Sequence, residues 1–177
     1  MPARSDPVDE LINAWKAELP EVLDPSSELT KRILVLAAEL GATTRRELPG
    51  FGLTGAEFDV LTALRRSGKP YRLKPNELSR GLLLSTGGTS NVVNRLVAEG
   101  LVEREPDPDD GRSTLIRLTP KGIKLAEEAV RATTAAHAEL FARVPPAVLR
   151  AATKALRDLA AATRAPRDGR STRPGHH

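Results

Sequence analysis

The sequence predicts a mainly α fold that carries a small β-wing. Apolar residues recur at three- and four-residue spacing along most of the 177 residues, the period of helices with one buried stripe. Aromatics are few (Phe51, Phe58, Phe141, Trp15 and Tyr71), so the core must come from Leu, Val, Ile and Ala, which suit helices. Residues 74–119 then set two short helical patterns, a tight link and a charged hairpin in succession. That succession is the order of a winged helix-turn-helix, whose second helix enters the DNA major groove.

Leu11, Ile12, Trp15 and Leu19 share a helical spacing over 9–19, and Pro20 and Pro25 bracket a linker. Residues 1–26 are therefore expected to be an N-terminal extra helix and linker. From Ser27 to about Leu48, the residues Leu29, Ile33, Leu36, Ala37 and Leu40 lie on one stripe, and Pro49-Gly50 stops the helix. Segment 27–50 is expected to be a dimerisation helix, and 51–119 the DNA-binding domain.

Thr54 opens the next helix with a capping box: its hydroxyl can accept from the Glu57 amide while the Glu57 carboxylate reaches back. Leu53 and Phe58 flank it as a hydrophobic staple. Phe58, Leu61 and Leu64 face the core, and Gly68 ends the helix. Tyr71-Arg72-Leu73 reads as a short strand. Pro75 suits the first turn of the following helix, which buries Leu78 and Leu82. Ser85 is the candidate N-cap of a helix through Ala98, which Val92, Val93, Leu96 and Val97 hold to the body, with Gly100 as its C-cap. Strands are expected over 101–105 and 114–118, joined by a loop over 107–113. Thr119-Pro120 pairs an N-cap with proline at the first helical position, starting a helix to about Arg143. Pro145-Pro146 separates it from a final helix ending near Thr163. Segment 120–164 is expected to supply C-terminal dimerisation helices, and 165–177, rich in Arg, Pro and Gly, a disordered basic tail.

The formal charge is +4, and its distribution says more than its sum. Residues 1–30 hold two bases against seven acids, residues 164–177 four arginines against Asp168, and residues 72–117 seven of each sign. Net charge therefore does not point to DNA. The local pointer is the acid-free interval between Glu77 and Glu99, which contains Arg80 and Arg95, since a helix approaching phosphates should lack acids on that face.

No site for chemistry is legible, so no enzyme, cofactor or metal is expected. Cysteine is absent, which removes disulfides and thiolate metal ligands and fits a reducing cytoplasm. The histidines are His137, mid-helix, and His176 and His177 at the extreme tail; no Ser-His-Asp set, carboxylate pair or phosphate loop accompanies them. No apolar run approaches the roughly 20 residues of a membrane helix, and Asp6, Asp9 and Glu10 do not suit a signal peptide.

On the helix after Ser85, the residues not needed for packing are Thr86, Gly87, Gly88, Thr89, Ser90, Asn91, Asn94 and Arg95. Gly87 and Gly88 let the backbone approach a phosphate where free amides attract anions. Asn91 can pair bidentately with adenine, and Arg95 with guanine or phosphate. The alternative is an ordinary capped surface helix. In the hairpin Asp107-Pro108-Asp109-Asp110-Gly111-Arg112, followed by Ser113, Arg112 can enter the negative minor groove. Asp110 can hold its guanidinium by charge-assisted hydrogen bonds; a solvated polar turn is the plainer reading. A protein-contact winged helix is the rival function. It should show exposed aromatics or Leu where this chain has Thr89, Ser90, Asn91, Asn94 and Arg95.

Residues 27–164 resemble the MarR family of bacterial transcription regulators. The resemblance is carried by Leu53-Thr54-Gly55-Ala56-Glu57-Phe58-Asp59-Val60-Leu61, Leu101-Val102-Glu103-Arg104, the Asp-Pro-Asp-Asp-Gly-Arg wing and Leu118-Thr119-Pro120-Lys121-Gly122. It implies an intertwined homodimer, cytoplasmic and held on the nucleoid by double-stranded DNA. It also implies a pseudo-palindromic site near the regulator's own promoter, repression as the usual outcome, and release by a small molecule. Gly111 stands where many members have a second Arg. The residues also ask for a dimer. Leu29, Ile33 and Leu36 at one end, and Ala126, Ala129, Leu140, Leu149, Leu156 and Leu159 at the other, make apolar stripes longer than one domain can cover. Two copies reading a palindrome need recognition helices about 34 Å apart.

The N-terminal extension resembles the branch of that family that responds to urate through a Trp, an Asp and arginines. Trp15, Asp59 and Arg104 match that set, which implies a small phenolic or anionic ligand. The arginine expected within the recognition helix is replaced by Val92. Trp15 read as a packing anchor, and Asp59 as a helix-surface residue, are the plainer alternatives.

Overall fold

The computed structural model describes residues 7–82, 86–108 and 110–164, with the side chains of 81–82, 86–87 and 111–112 excepted. The Ser85 cap, Asp109 and the basic tail lie outside those residues. Helices α1 (Pro7–Glu18), α2 (Ser27–Glu47), α3 (Gly55–Arg66), α4 (Pro75–Leu82), α5 (Thr86–Ala98), α6 (Pro120–Leu140) and α7 (Pro146–Arg164) are joined by short turns and by strands β1 (Arg72–Leu73), β2 (Val102–Asp107) and β3 (Asp110–Leu118). The described residues fall into two compact units, 7–139 and 140–164.

In the first unit, α3, α4, α5, the sheet and the start of α6 enclose one core. Leu61, Leu64, Leu78, Leu96 and Ile116 have no exposed surface, and each enclosed side chain of this size contributes roughly 1.5–3 kcal/mol. The local signals behave as their chemistry dictates. Glu57 Oε2 accepts from Thr54 N at 2.8 Å while Thr54 Oγ1 accepts from Glu57 N at 3.3 Å, closing the capping box. Gly68 and Gly100 take φ of 83° and 68°, the left-handed conformation glycine adopts without a Cβ clash. Thr119 Oγ1 accepts from Gly122 N at 3.0 Å and donates to Gly100 O at 2.8 Å, so the cap of α6 also ties it to the end of α5.

The sheet is antiparallel in the order β1-β3-β2, with Arg72 opposite Arg117 and Arg104 opposite Ile116. Like charges side by side repel. Glu105 relieves this pair: it accepts from Arg72 at 2.9 Å and lies 3.0 Å from Arg117 Nε as an ion pair.

Three expectations are corrected. The wing loop is shorter than 107–113: β2 reaches Asp107 and β3 starts at Asp110, with an irregularity between Pro106 and Asp107. Asp107 is buried and its carboxylate lies 2.8 Å from Lys74 Nζ, so it anchors the hairpin to the start of α4. Helix α6 ends at Leu140, short of Arg143. Ala126 and Ala129, expected on an open apolar stripe, are completely enclosed in the core. The cause is Gly122, where a Cβ would stand 1.9 Å from Leu101 O; with no side chain there, α6 lies directly on the start of β2.

The N-terminal helix α1 buries Val8 and Ile12, and Asp9 joins Arg32 of α2 at 2.6 Å. Asp24, before α2, accepts from Ser26 Oγ at 2.7 Å and from Ser26 N at 2.6 Å, and these bonds hold its carboxyl below the usual range. His137 of α6 places Nε2 3.0 Å from Thr44 Oγ1 and 3.2 Å from Leu40 O, linking α6 to α2. No described helix is long and apolar enough to cross a membrane.

Candidate nucleic-acid interface

Helix α5 divides cleanly into two faces. Val93 and Leu96 are buried and Val92 packs against the core. Ser90, Asn91 and Asn94 are exposed and lie on one stripe, at spacings of three and four residues. Thr89 does not belong to that stripe. It is 2 % exposed, and its hydroxyl accepts from Ser79 Oγ of α4 at 3.1 Å, so it joins the two helices of the motif. Gly88 is half-buried. The side chains of Thr86 and Arg112 lie outside the described residues, as does Ser85. Ser113 is half-buried and Asp110 exposed on β3.

Arg95 is exposed, its side chain 61 % open to solvent, while it also reaches back to α3. Its Nη2 lies 3.1 Å from Glu57 Oε1, on a carboxylate that is 1 % exposed. The contact falls short of hydrogen-bond geometry, so it is a charge pairing that ties the last turn of α5 to the first turn of α3. Asn94 is engaged from the other side, its Oδ1 accepting from Arg104 Nη2 at 2.8 Å. Neither contact follows from spacing along one element, because each crosses between elements brought together by the core. In the sequence, Arg104 is singled out by its resemblance to a ligand-set arginine, not as a partner of Asn94.

Electrostatically, the acids of the domain are largely occupied within it. Glu103 and Glu105 meet Arg117 and Arg72 across the sheet, Asp107 meets Lys74, and Glu77 accepts from Lys74 N at 2.7 Å. Lys74 is correspondingly held protonated, first by its hydrogen bond to Asp107 and further by Asp107 and Asp110 charge. Arg80 on α4 has no such partner among the described residues. The zero net charge of 72–117 thus conceals a polar α5 face bordered by cations.

The ligand set expected from the N-terminal extension is not gathered in one place. Trp15 is 40 % exposed and lines a depression of about 290 Å³ with Val22, Ser26, Thr30 and Lys31. Val8 and Ile12 are the anchors of α1, so Trp15 is not the packing anchor either. Arg104 lines a different depression, of about 200 Å³, with Pro75, Ser79, Thr89 and Ser90. Asp59 borders neither; desolvation pushes its carboxyl above the usual range, and Arg66 pulls it partly back. The described residues contain no group of three or more His, Asp or Glu placed to hold a metal.

Residues 51–113 match the MarR family. The regulator PecS of Dickeya dadantii is 28 % identical over 132 residues, spanning 72 % of this chain and 77 % of its own. The multiple antibiotic resistance protein MarR of Salmonella typhimurium is 34 % identical over 76 residues, 43 % of this chain and 51 % of its own, about half its length. Among solved structures, a MarR family protein from Bacillus stearothermophilus superposes with a TM-score of 0.68 at 27 % identity, covering 77 % of this chain and 94 % of its own. Both sequence relatives bear the names of regulatory or resistance proteins rather than enzymes. With the winged helix-turn-helix, the capped α3 and the glycine-seated α6 all in place, residues 51–113 match the MarR family of transcriptional regulators, and the similarity to relatives and solved structures extends over about three quarters of the chain.

Proposed function

We propose that this protein is a sequence-specific DNA-binding regulator that acts as a homodimer on a pseudo-palindromic operator, represses transcription there, and leaves when a small anionic or phenolic ligand binds. The observation that carries the reading is the exposed Ser90-Asn91-Asn94 stripe of α5. It offers hydrogen-bonding groups and no large apolar side chain, which suits base edges and not a protein partner. Val97, 37 % exposed, lies beyond the stripe at the end of the helix. The dimer is supported by apolar faces that the single chain leaves open. Leu29, Ile33 and Leu36 of α2 are 39 %, 41 % and 39 % exposed. In the other unit, Leu140, Leu156 and Leu159 are 40 %, 46 % and 37 % exposed, with Leu149 half-buried.

Ligand control rests on Arg104, the cation of the depression beside α5. An anion there would compete for the guanidinium that holds Asn94, and a ligand favouring one state of α5 shifts DNA affinity by its differential affinity for the two states. The test is fluorescence anisotropy with duplex from upstream of the protein's own gene, at two salt concentrations, against scrambled competitor. Competitor-resistant binding of one dimer per palindrome, reversed by an aromatic carboxylate, is expected. Equal affinity for scrambled duplex at both salts would shift the reading to a protein-contact module.

A further inference from the structure

The contact between α5 and the wing strand specifies how one base is read. Asn94 has both a donor and an acceptor end, and by itself could pair with adenine through both. Arg104 on β2 removes that freedom. A guanidinium only donates, so the atom it touches at 2.8 Å is Oδ1, and the orientation of the amide is settled by chemistry. The amino end has no partner among the described residues. Asn94 and Arg104 are both exposed, and Asn94 shares the outer stripe with Ser90 and Asn91.

A second donor approaching Oδ1 would meet the cation already there. Adenine N6 and cytosine N4 are such donors, whereas guanine presents N7 and O6, two acceptors and no donor, in the major groove. We propose that Asn94 and Arg104 act as one donor-only reading unit that selects guanine at one position in each half-site. Asn94 is the specificity-determining residue and Arg104 is the residue that positions it. The inference rests on the DNA-binding reading above. It departs from the usual expectation for asparagine, which is adenine.

The experiment selects bound duplexes from a randomised library with the wild-type protein, Asn94→Asp and Arg104→Met. Asn94→Asp keeps an acceptor for Arg104 and replaces the amide donors by an anionic, acceptor-only carboxylate; Arg104→Met keeps the apolar stem and frees Oδ1. Both sites are on the surface, and circular dichroism melts confirm that each variant is folded. The wild type is expected to enrich guanine at one symmetric position. Asn94→Asp should lose that preference and weaken binding to the selected duplex roughly five- to a hundredfold, the size of one good base contact. Arg104→Met should move the same position toward adenine. Replacing that guanine by 7-deazaguanine should weaken wild type and leave Asn94→Asp unaffected. A wild-type motif kept unchanged at every position by both variants would overturn the inference alone. A wild type that enriches no motif would overturn the DNA-binding reading, and this inference with it.

Discussion

Gly122 occupies a place where any side chain collides with backbone: a Cβ would lie 1.9 Å from Leu101 O and 2.9 Å from Leu101 C. Backbone cannot swing aside as a flexible side chain can, so Gly122→Ala should cost about 3 kcal/mol or more, the upper range of overpacking. Urea unfolding measures it, and a loss below about 1 kcal/mol would mean that α6 is not seated on β2. Glu127 offers a second prediction at this scale. Hydrogen bonds from Arg65 and then Arg131 hold its carboxyl below the usual range. A lowered folded-state value contributes stability that is present above the unfolded titration and lost as pH falls through the folded one. Glu127→Gln should therefore show a shallower acid-side decline than wild type in melts run from neutral to acid pH. Asp59 has the opposite sign, because desolvation raises it. Its contribution is present below its unfolded titration and lost as pH rises through the folded one, so Asp59→Asn should be neutral to mildly stabilising near pH 7.

At the scale of elements, α5 is held by three neighbours: α4 through Ser79–Thr89, α3 through Glu57–Arg95 and β2 through Arg104–Asn94. A helix fixed on three sides meets its target with little ordering left to do, which favours affinity. Its outward residues are the ones proposed to read bases. Asn91→Ala should cost roughly 1–3 kcal/mol of specific binding and relax preference at one position per half-site. Anisotropy against single-base operator variants measures this, and undiminished binding would remove Asn91 from the groove. The wing follows the same logic. Lys74 and Asp107 join the turn end of the described wing strands to the start of α4.

For the whole molecule, the open faces of α2 and α7 are the surfaces proposed to form the dimer. Helix α7 has no buried residue in the single chain, and Val148, Leu156 and Leu159 remain exposed. Such surface is costly to leave in water, and the proposed dimer covers it. Ile33→Glu, at a site 41 % exposed, should fold its DNA-binding domain yet sediment as a monomer and lose operator binding by at least an order of magnitude, because half-site avidity is gone. A wild-type Tm that rises with protein concentration is the companion expectation. An Ile33→Glu variant that remains dimeric would place the interface elsewhere.

What the chain determined by itself was local. Capping at Thr54 and Thr119, glycine stops at Gly68 and Gly100, the helical stripes and the order of helix, helix and wing all depend on neighbours within a few residues, so they could be read in sequence. The roles of Thr89, Arg95, Asn94 and Asp107 could not. Each is decided by a partner 10 to 38 positions away, at Ser79, Glu57, Arg104 and Lys74, and only packing of the core brings those partners within reach. The outward face of α5 is consequently narrower than its polar composition suggests. Tertiary contacts turned Thr89 into a structural tie, since a buried hydroxyl left without a partner is costly, and gave the exposed Arg95 a charge pairing with Glu57. They left Ser90, Asn91, Asn94 and Arg95 as the outward polar groups.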